Sequence, residues 1–500
     1  MYLSEIIKVL KSKNLVKNFV NCSNGRLNTE ITNVQIDSAK VKKGSLYICR
    51  KGYKFDSHFL AGEVVRRGAV ALITERNVKV DVPYIVVNNS REAEAVIASF
   101  FYNDPHEKLK VFGVTGTNGK TTVATLIHYL LSKHKIKGSL IGTVNDIIVD
   151  EIIPSKNTTP SSIDVFRIMH ETLQKGGNFV SMEISSHALA LHRVGSIKLN
   201  YAILTNITHD HLDFHRSFEN YLKTKLSIFN LLKSDGKAII NSDIEEKINY
   251  PENFITYGIK YKANFMATNI KVSKKGTSFK LLINEKDAGE IQIPLIGEFN
   301  VYNVLAVLAI MNDLGYNLST LKNLLKKFPG VEGRFEVIHD KHLGIEIIID
   351  FAHTPDALEK ALKTAKQITT GRVIVVFGAG GEGDRFKRPI MGRIASKIAD
   401  VTIITTDNPK SEDPKTILEE IEIGVNKSRP YLVIEDRKEA IEMAITIANK
   451  RDLILIAGKG HERIIDYGSY QKPFNDKEVA KEILEDIKER INAAKAFGNT

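Results

Sequence analysis

A glycine-rich segment between a strand-like run and a helical pattern constrains this fold more than any other feature. Residues 113–122 read GVTGTNGKTT, after the apolar run 111–114 and before a helical pattern that extends to about Lys133. Glycines let backbone amides approach a phosphate closely, and the N-terminus of the following helix adds partial positive charge. The order of strand, glycine turn and helix therefore predicts an α/β domain that binds a nucleotide through its phosphates.

The loop departs from the usual spacing of phosphate loops. That spacing requires a glycine five residues before Gly119, where this chain has Val114. Lys120 is predicted to neutralise the β- and γ-phosphates, and Thr121 to offer a hydroxyl to Mg²⁺. A chance glycine-rich turn is the alternative, and the Lys-Thr-Thr that opens the helix argues against it. The residues predicted to hold the phosphates are Gly116, Thr117, Asn118, Gly119, Lys120, Thr121 and Thr122.

The last third of the chain alternates continuous apolar runs with helical patterns. The runs 372–377, 401–404 and 453–456 have no polar face, which is typical of strands in a buried, largely parallel sheet. Ligands of such sheets bind beyond the carboxyl ends of the strands. Turns without a ligand are the alternative, but turns need no His-Glu or Asp-Asn pairs. The loops expected to converge on one site are 378–381, 407–410 and 458–462.

Length and composition bound the class of protein. The chain of 500 residues corresponds to about three domains. The joints are expected at two stretches that contain proline, the polar stretch 103–107 and the Pro-Gly stretch 328–333. The net charge of +11 favours anionic partners. The basic residues are spread along the chain, so we expect phosphorylated small ligands and no nucleic acid. The predicted domains are 1–105, 106–329 and 330–500.

The sequence offers no signal for export or membrane insertion. The N-terminus lacks a basic segment followed by an apolar core, and no apolar run reaches about 18 residues. Cys22 and Cys49 show neither metal-type nor disulfide-type spacing, which fits a reducing compartment. We therefore expect a cytoplasmic protein without membrane insertion, acting as a monomer.

Two polar segments follow strand-like runs in the middle of the chain. Glu183 lies among apolar and small residues, where an unpaired carboxylate is costly to bury, so coordination of Mg²⁺ would resolve its charge. Residues 204–215 read LTNITHDHLDFH, a dense cluster of His and Asp. On donor type alone zinc would be favoured there, because Mg²⁺ prefers oxygen ligands. The neighbouring phosphate loop and the missing Cys and His partners favour Mg²⁺, and a loop of solvated histidines remains the plainest alternative.

The variant loop and these two segments resemble the Mur ligases and their relatives, the folylpolyglutamate synthetases. In that family ATP phosphorylates a substrate carboxylate, and an amine then attacks the acyl phosphate. The resemblance implies a carbamylated lysine at Lys225, whose carbamate would bring anionic oxygens to Mg²⁺. From the residues alone, Lys225 would be a solvated helix lysine. The catalytic residues implied are Lys120, Glu183, His211 and Lys225, and the metal ligands are Thr121, Glu183, His211 and Lys225.

Further segments resemble the Mur ligases that extend a nucleotide-linked cell-wall precursor by a diamino acid. They are IDS at 36–38, GYKFD at 52–56, NTTP at 157–160 and HRV at 192–194. The acceptor implied is UDP-N-acetylmuramoyl-L-alanyl-D-glutamate, in peptidoglycan precursor synthesis. The family usually has arginine where Ala39 stands. The residues implied to bind this precursor are Ser38, Asn157, Thr158, Thr159, Ser185 and Arg193.

Three segments resemble the adenine-side and nucleotide-contacting motifs of the same family. They are GEFNVYN at 297–303, GRFE at 333–336 and DFAHTP at 350–355. Without the family, Asp350 would be the polar end of a strand and Arg334 an exposed loop residue. The additional ATP-binding residues implied are Asn300, Arg334, Asp350 and His353.

The choice of amino acid depends on the last domain. Family members that add meso-2,6-diaminopimelate usually carry DNPR, GGDR and GKGHE. This chain keeps GKGHE at 458–462, but Lys410 and Gly383 replace the two arginines, and Lys410 lacks the bidentate fork that grips a carboxylate. We favour diaminopimelate held by Lys410 and Arg385. L-lysine or another diamino acid is the alternative, with its distal ammonium on Glu462, although Lys410 would repel it. The residues implied to bind the amino acid are Arg385, Asp407, Asn408, Lys410, Gly458 and Glu462.

The resemblance thus implies an α/β protein of three domains that uses ATP and Mg²⁺. It implies a small α/β N-terminal domain, a central P-loop-type ATPase domain with a parallel-rich sheet, and a doubly wound Rossmann-like C-terminal domain. The domains are expected to close over the site, since water would hydrolyse the acyl phosphate. A folylpolyglutamate synthetase lacks the first domain, a P-loop switch or transport ATPase leaves the third sheet's loops unexplained, and a non-catalytic binding protein is the remaining alternative.

Overall fold

The computed structural model describes residues 1–52, 55–208, 210–246 and 248–497. Tyr53 and Lys54 of the segment that resembles a uridine site, and His209 of the His/Asp cluster, lie outside the described residues. The described chain forms three α/β units, each built on its own sheet. Among the described residues, no helix is both long and apolar enough to cross a membrane.

The N-terminal unit contains a five-stranded sheet in the order β1-β5-β4-β3-β2, in which β1 alone is antiparallel to its neighbour. Its elements are α1 Leu3–Ser12, β1 Val16–Val20, α2 Asn24–Leu27, β2 Asn33–Gln35, β3 Ser45–Ile48, α3 Ala61–Arg66, β4 Ala69–Thr74, β5 Tyr84–Val87 and α4 Ser90–Phe101. Helix α1 buries Leu3, Ile6, Ile7 and Leu10, the spacing of one apolar helix face.

The central unit contains an eleven-stranded sheet, parallel in its middle and antiparallel at both ends. Its elements are β6 Lys110–Thr115, α5 Lys120–Lys133, β7 Gly138–Ile141, β8 Asn145–Ile148, β9 Glu151–Pro154, α6 Ser162–Gln174, β10 Phe179–Glu183, α7 Ser186–Ala190, β11 Leu199–Leu204, α8 Leu212–His215, α9 Phe218–Leu226, β12 Leu232–Asn241, β13 Phe254–Gly258, β14 Phe265–Ser273, β15 Gly276–Ile283, β16 Lys286–Ile293, α10 Glu298–Asp313 and α11 Leu318–Leu325. The order is β16-β15-β14-β13-β12-β11-β6-β10-β7-β8-β9. Because β7, β10, β6 and β11 run parallel, their carboxyl ends share one edge.

The N-terminal and central units share one hydrophobic core. Leu3 and Ile97 of the first unit belong to the same buried cluster as Val111, Phe166 and Met182 of the second. Helix α4 packs against α6 across this boundary. Separating the two units would expose this apolar surface to water, so the core holds them together.

The C-terminal unit contains a six-stranded sheet in the order β17-β18-β22-β19-β20-β21, with β17 alone antiparallel. Its elements are β17 Glu336–Asp340, β18 Ile345–Asp350, α12 Pro355–Ile368, β19 Val373–Phe377, α13 Lys387–Ile398, β20 Val401–Ile404, α14 Pro414–Glu422, β21 Tyr431–Val433, α15 Arg437–Thr446, β22 Leu453–Ala457, β23 Ile464–Asp466, β24 Gln471–Pro473 and α16 Asp476–Phe497. Separate apolar clusters cover its two faces. The predicted fold class is thereby confirmed, whereas the exact domain limits stay predictions.

Candidate active site

A cavity of about 340 Å³ lies where the central unit meets the C-terminal unit. All the residues predicted to bind ATP line it, except Gly116. The other predicted residues that line it are Glu183, His211, Lys225, Thr158 and Ser185. The site predicted from three separate stretches of sequence is therefore one continuous space in the fold.

The phosphate loop connects β6 to α5 and depends on glycine at two positions. Gly116 and Gly119 have φ angles of +148° and +88°. A Cβ atom on Gly116 would lie 1.8 Å from the Thr205 hydroxyl oxygen, so any larger residue would displace the loop. The Lys120 Nζ donates to the carbonyls of Gly116 and Thr117, at 2.8 Å each. Burial lowers the pKa of Lys120, and a phosphate anion beside it would favour its charged form.

Glu183 ends β10 and is a buried carboxylate of the site, with 1% of its surface exposed. Its Oε2 accepts from the hydroxyls of Thr121 at 3.0 Å and Thr143 at 2.9 Å, and its Oε1 accepts from the Thr143 amide at 2.7 Å. These partners are neutral, so the negative charge has hydrogen bonds but no cation in direct contact among the described residues. A carboxylate beside a threonine hydroxyl is a donor set that suits Mg²⁺.

Lys225 on α9 is buried beside the phosphate loop. Its exposed fraction is 1%, and its Nζ donates to the Gly116 carbonyl at 2.8 Å. Burial, and next the charge of Lys120, lower the pKa of Lys225 well below its ordinary value. The neutral amine is the form that reacts with CO₂, so this environment favours the carbamate that the family resemblance implies. The burial of Lys225 contradicts the alternative of a solvated helix lysine.

His211 lies in a loop after β11 and its backbone is left-handed, with φ of +53°. Its ring lies 4.8 Å from the ring of His187, and burial lowers the pKa of His211 to about 3. The neutral imidazole that results is the form that can bind a metal. Within the described ranges, no group of three or more His, Cys, Asp or Glu side chains could hold a metal ion. Besides Glu183 and His211, the predicted metal site therefore depends on the oxygens of Thr121 and of a modified Lys225.

The C-terminal unit contributes Arg334 to the same cavity. Its Nη2 donates to the Thr121 hydroxyl at 3.1 Å, and its guanidinium carbon lies 4.2 Å from the centre of the Phe351 ring. Asp350, at the end of β18, accepts from the Phe335 amide at 2.7 Å, and burial raises the pKa of Asp350. Burial lowers the pKa of His353 to about 4. A cation from one unit therefore meets the phosphate loop of another.

A second contact between these units involves Asp356, a residue that the sequence analysis did not single out. Asn118, at the tip of the phosphate loop, donates to Asp356 on α12 at 2.9 Å, and Lys360 donates to the same carboxylate at 2.8 Å. Thr143, which binds Glu183, was also missed. Its position just beyond the end of β7, where parallel sheets place their ligands, could have identified it.

Four of the residues predicted to bind the nucleotide-linked precursor form a group beside Glu183, namely Thr158, Thr159, Ser185 and Arg193. The Thr159 hydroxyl donates to the Glu183 carbonyl at 2.8 Å, and Arg193 donates to the Thr159 carbonyl at 2.8 Å. Asn157 immediately precedes Thr158, which lines the cavity. Ser38 lies in the N-terminal unit, where its carbonyl accepts from Arg67.

The three loops of the C-terminal sheet converge as predicted. The Gly381 amide donates to the Asn408 carbonyl at 2.8 Å. Lys459, fully buried, donates from Nζ to Asn408 at 2.9 Å and to Glu462 at 2.8 Å, with Asp407 at 3.8 Å. A Cβ atom at Gly458 would lie 2.4 Å from the Asp407 carboxylate. Lys459 is thus the centre of this cluster, although the prediction named only its neighbours.

The structure does not bring Arg385 to this cluster. Arg385 is 58% exposed and forms an ion pair with Glu420 of α14. Arg388 is fully buried, and it binds Glu420 at 2.6 Å and Glu412 at 2.9 Å. Lys410 has a left-handed backbone, with φ of +53°, and its amide donates to the Asp466 carbonyl at 2.8 Å. The role of Arg385 as the replacement for the missing arginine stays a prediction, although its described ion pair is with Glu420 and not with this cluster.

Family models and known proteins agree with this architecture. The Mur ligase middle domain matches residues 114–311. The Mur ligase glutamate ligase domain matches 333–460, and the Mur ligase family catalytic domain matches 30–110. The matches follow the three units in order, and the first of them ends at Lys110, where β6 of the central unit begins.

Relatives and a solved structure extend the similarity over nearly the whole chain. Two proteins named UDP-N-acetylmuramoyl-L-alanyl-D-glutamate–2,6-diaminopimelate ligase are similar over 467 residues. The one from Caldanaerobacter subterraneus is 42% identical, covering 92% of this chain and 96% of its own. The one from Bacillus cereus is 43% identical, covering 91% and 94%. A solved structure of a ligase of that name is 29% identical with a TM-score of 0.66, covering 98% of this chain and 99% of its own. The chain therefore belongs to the Mur ligase family.

Proposed function

We propose that this protein is the ATP-dependent ligase that joins meso-2,6-diaminopimelate to UDP-N-acetylmuramoyl-L-alanyl-D-glutamate in peptidoglycan precursor synthesis. The reaction proceeds through an acyl phosphate. The precursor carboxylate attacks the γ-phosphorus of ATP and releases ADP, and the amine of the amino acid then displaces phosphate from the acyl carbon. Relatives above 40% identity that carry this name support the substrates.

The cavity residues have separate roles in the first step, the transfer of the γ-phosphoryl group. Lys120 and Arg334 approach the Thr121 end of the phosphate loop from two units, so their charges offset the repulsion between the triphosphate and the attacking carboxylate. Mg²⁺ would be held by Thr121, Glu183, His211 and carbamylated Lys225, and it would neutralise charge on the transferred phosphoryl group. The observation that carries the proposal is the buried Glu183, which lies beside the phosphate loop without a cation in contact among the described residues.

The second step takes place between the central and C-terminal units. The cluster of Asp407, Asn408, Lys459 and Glu462 combines two carboxylates with one buried ammonium. Such a group can bind both the ammonium and the carboxylate of an amino acid. We keep Lys410 as the residue for the distal carboxylate of diaminopimelate. L-lysine remains the second substrate to test, since Glu462 could accept its distal ammonium.

The proposal places the protein in the cytoplasm, as a monomer without a nucleic-acid partner. Cys22 and Cys49 are both free thiols, which fits a reducing compartment. Mass measured in solution by light scattering checks the monomer, and a mass of two chains would contradict it.

Release of phosphate from ATP tests the function directly. The purified protein is given Mg²⁺, ATP, the UDP-linked dipeptide and, in turn, meso-diaminopimelate, L-lysine and L-ornithine. We expect release that requires both the acceptor and diaminopimelate, with a product heavier by one diaminopimelate residue. Phosphate release that does not depend on the acceptor would rule out a cell-wall ligase. Release that occurs with the acceptor and L-lysine, but not with diaminopimelate, would make L-lysine the substrate.

A further inference from the structure

Three arginines gather where the N-terminal unit meets the central unit. Arg50 follows β3, Arg91 lies in the first turn of α4, and Arg193 follows α7. We refer to Arg50, Arg91 and Arg193 as the arginine cluster. The first two belong to one unit and the third to the other, so the cluster spans the junction.

The arginine cluster contains more positive charge than its ion pairs balance. Glu94, 2% exposed, binds the Arg50 Nη1 at 2.8 Å. Arg91 donates to the Lys51 carbonyl at 3.3 Å and Arg193 to the Thr159 carbonyl at 2.8 Å, which are neutral acceptors.

A second carboxylate nearby, Glu75, accepts from both the amide and the hydroxyl of Ser90 at 2.8 Å. Each guanidinium has five N–H donors. Most donors of Arg91 and Arg193 therefore have no protein partner among the described residues.

Electrostatics within the cluster favour a bound anion. Burial, and next the charge of Arg50, lower the pKa of Arg91. The pKa of Arg193 is lowered by burial and then by the charges of Arg50 and Arg91. Like charges that repel in a half-buried site are stabilised when an anion enters between them.

The position of the cluster indicates which anion enters. Arg193 binds the carbonyl of Thr159, whose neighbour Thr158 lines the catalytic cavity. Arg50 and Arg91 belong to the N-terminal unit, and Arg193 connects the cluster to the segment that lines this cavity. An acceptor that extends from the N-terminal unit to the loop would therefore pass the three guanidiniums. The acceptor contains two kinds of oxyanion, a diphosphate and carboxylates, and an arginine fork matches either one.

We propose that Arg50 and Arg91 join Arg193 in binding an oxyanion of the nucleotide-linked acceptor, so that the N-terminal unit recognises charge as well as the nucleoside. This inference rests on the proposed function, because it takes the acceptor from it. No bond is made or broken at the cluster. Its role is to bind and position the acceptor.

Binding measurements on Arg91→Gln test the inference. Arg91 is suited to this test because its described hydrogen bond goes only to a carbonyl. Calorimetry would give the affinity of wild type and variant for the UDP-linked dipeptide, for UDP and for ATP. We expect acceptor binding to weaken on the order of tenfold, the effect of one charged hydrogen bond, with ATP binding unchanged. An acceptor affinity within about twofold of wild type would overturn the inference.

The UDP measurement separates the two oxyanions. An equal loss of affinity for UDP and for the full acceptor assigns the diphosphate to the cluster. A loss confined to the full acceptor assigns a carboxylate of the dipeptide. Both results support an oxyanion site.

Further variants separate binding from folding. Arg91→Lys keeps the charge and should recover part of the affinity. Arg50→Gln is made together with Glu94→Gln, so that no carboxylate is left buried alone, and the pair should also weaken acceptor binding. Arg167→Gln removes an arginine from α6 that already pairs with Glu171 at 2.8 Å, and its affinity should equal that of wild type.

The two proposals can fail separately. If phosphate release by the wild-type protein does not depend on the acceptor, the proposed function is wrong, and so is the ligand assigned to the arginine cluster. Wild-type protein with acceptor-dependent release, together with cluster variants of normal acceptor affinity, contradicts only the arginine cluster.

Discussion

At the scale of single residues, burial decides which chemical form each side chain presents to the substrates. Lys225 is enclosed by protein and lies close to a second lysine, Lys120, so its pKa is lowered well below that of an exposed lysine. The neutral amine then exists at a pH where CO₂ is available to react with it. Acidification protonates the amine, so the carbamate should be lost as the pH falls.

The carbamate on Lys225 can therefore be detected by ¹³C NMR of its carbon atom. Protein equilibrated with ¹³C-bicarbonate at neutral pH should show a carbamate resonance that is absent in Lys225→Arg. That variant should also lose on the order of 100-fold in kcat, comparable to removal of one preorganised charge-stabilising group. Lys223→Arg, on the same helix, is the matched control and should keep both signal and activity. A resonance that persists in Lys225→Arg would place the modification elsewhere.

The second prediction at this scale concerns Lys410 and the distal carboxylate of diaminopimelate. Lysine offers one point charge where arginine offers a planar fork for a carboxylate. Lys410→Arg should lower KM for meso-diaminopimelate by several-fold, about 1 kcal/mol of added binding, whereas Lys410→Met should raise it. Steady-state phosphate release measures both variants, with KM for ATP as the internal reference. A higher KM for diaminopimelate in Lys410→Arg would show that Lys410 does not bind the distal carboxylate.

Single residues also show how far sequence reasoning extends. Lys120, Glu183 and His211 could be found because each follows a strand-like run, and parallel strands place their carboxyl ends together. The placement of Arg385 could not be found, because its partner Glu420 is 35 residues away on α14. A contact of that kind depends on how helices pack, and no local pattern encodes it.

At the scale of elements, a buried ion pair joins α15 to α16 behind the amino-acid cluster. Arg437 and Asp476 are both fully buried and lie 2.7 Å apart. Arg437 also donates to the carbonyls of Thr406 at 3.2 Å and Ala457 at 2.9 Å, the residues before Asp407 and Gly458. The strands β19, β20 and β22 of this unit were predictable from apolar runs, whereas this support from a distant helix was not.

Removal of Arg437 should therefore affect both stability and substrate binding. Arg437→Met leaves the Asp476 carboxylate buried without a cation, and we expect a loss of about 3–5 kcal/mol in the free energy of unfolding. The double variant with Asp476→Asn should recover part of it. Arg490→Met breaks an exposed pair between the same helices and should change little. Urea unfolding and KM for the amino acid measure the effects. An unchanged KM in folded Arg437→Met would show that this ion pair does not support the amino-acid site.

At the scale of the whole molecule, the catalytic cavity exists only where two units touch. The joints near residues 105 and 330 could be identified in the sequence, because both stretches contain proline. The sequence did not show how closely the units approach each other, because this depends on contacts such as Arg334 with Thr121 and Asp356 with Asn118. Both contacts join the C-terminal unit to the phosphate loop, so a nucleotide bound at the loop should change how firmly the units hold together.

Domain closure is therefore expected to depend on the nucleotide and on Asp356. X-ray scattering should give a smaller radius of gyration with a non-hydrolysable ATP analogue and Mg²⁺ than without them, because the triphosphate adds contacts to both units. Asp356→Ala removes the contact with Asn118 and should weaken this compaction and raise KM for ATP on the order of tenfold. Glu359→Ala removes an exposed pair with Lys363 on the same helix and should behave as wild type. If the radius does not change with nucleotide, the units are held by their own contacts and water must be excluded by local movements of the loops. If it changes equally in Asp356→Ala, Arg334 and the nucleotide are sufficient to close the site.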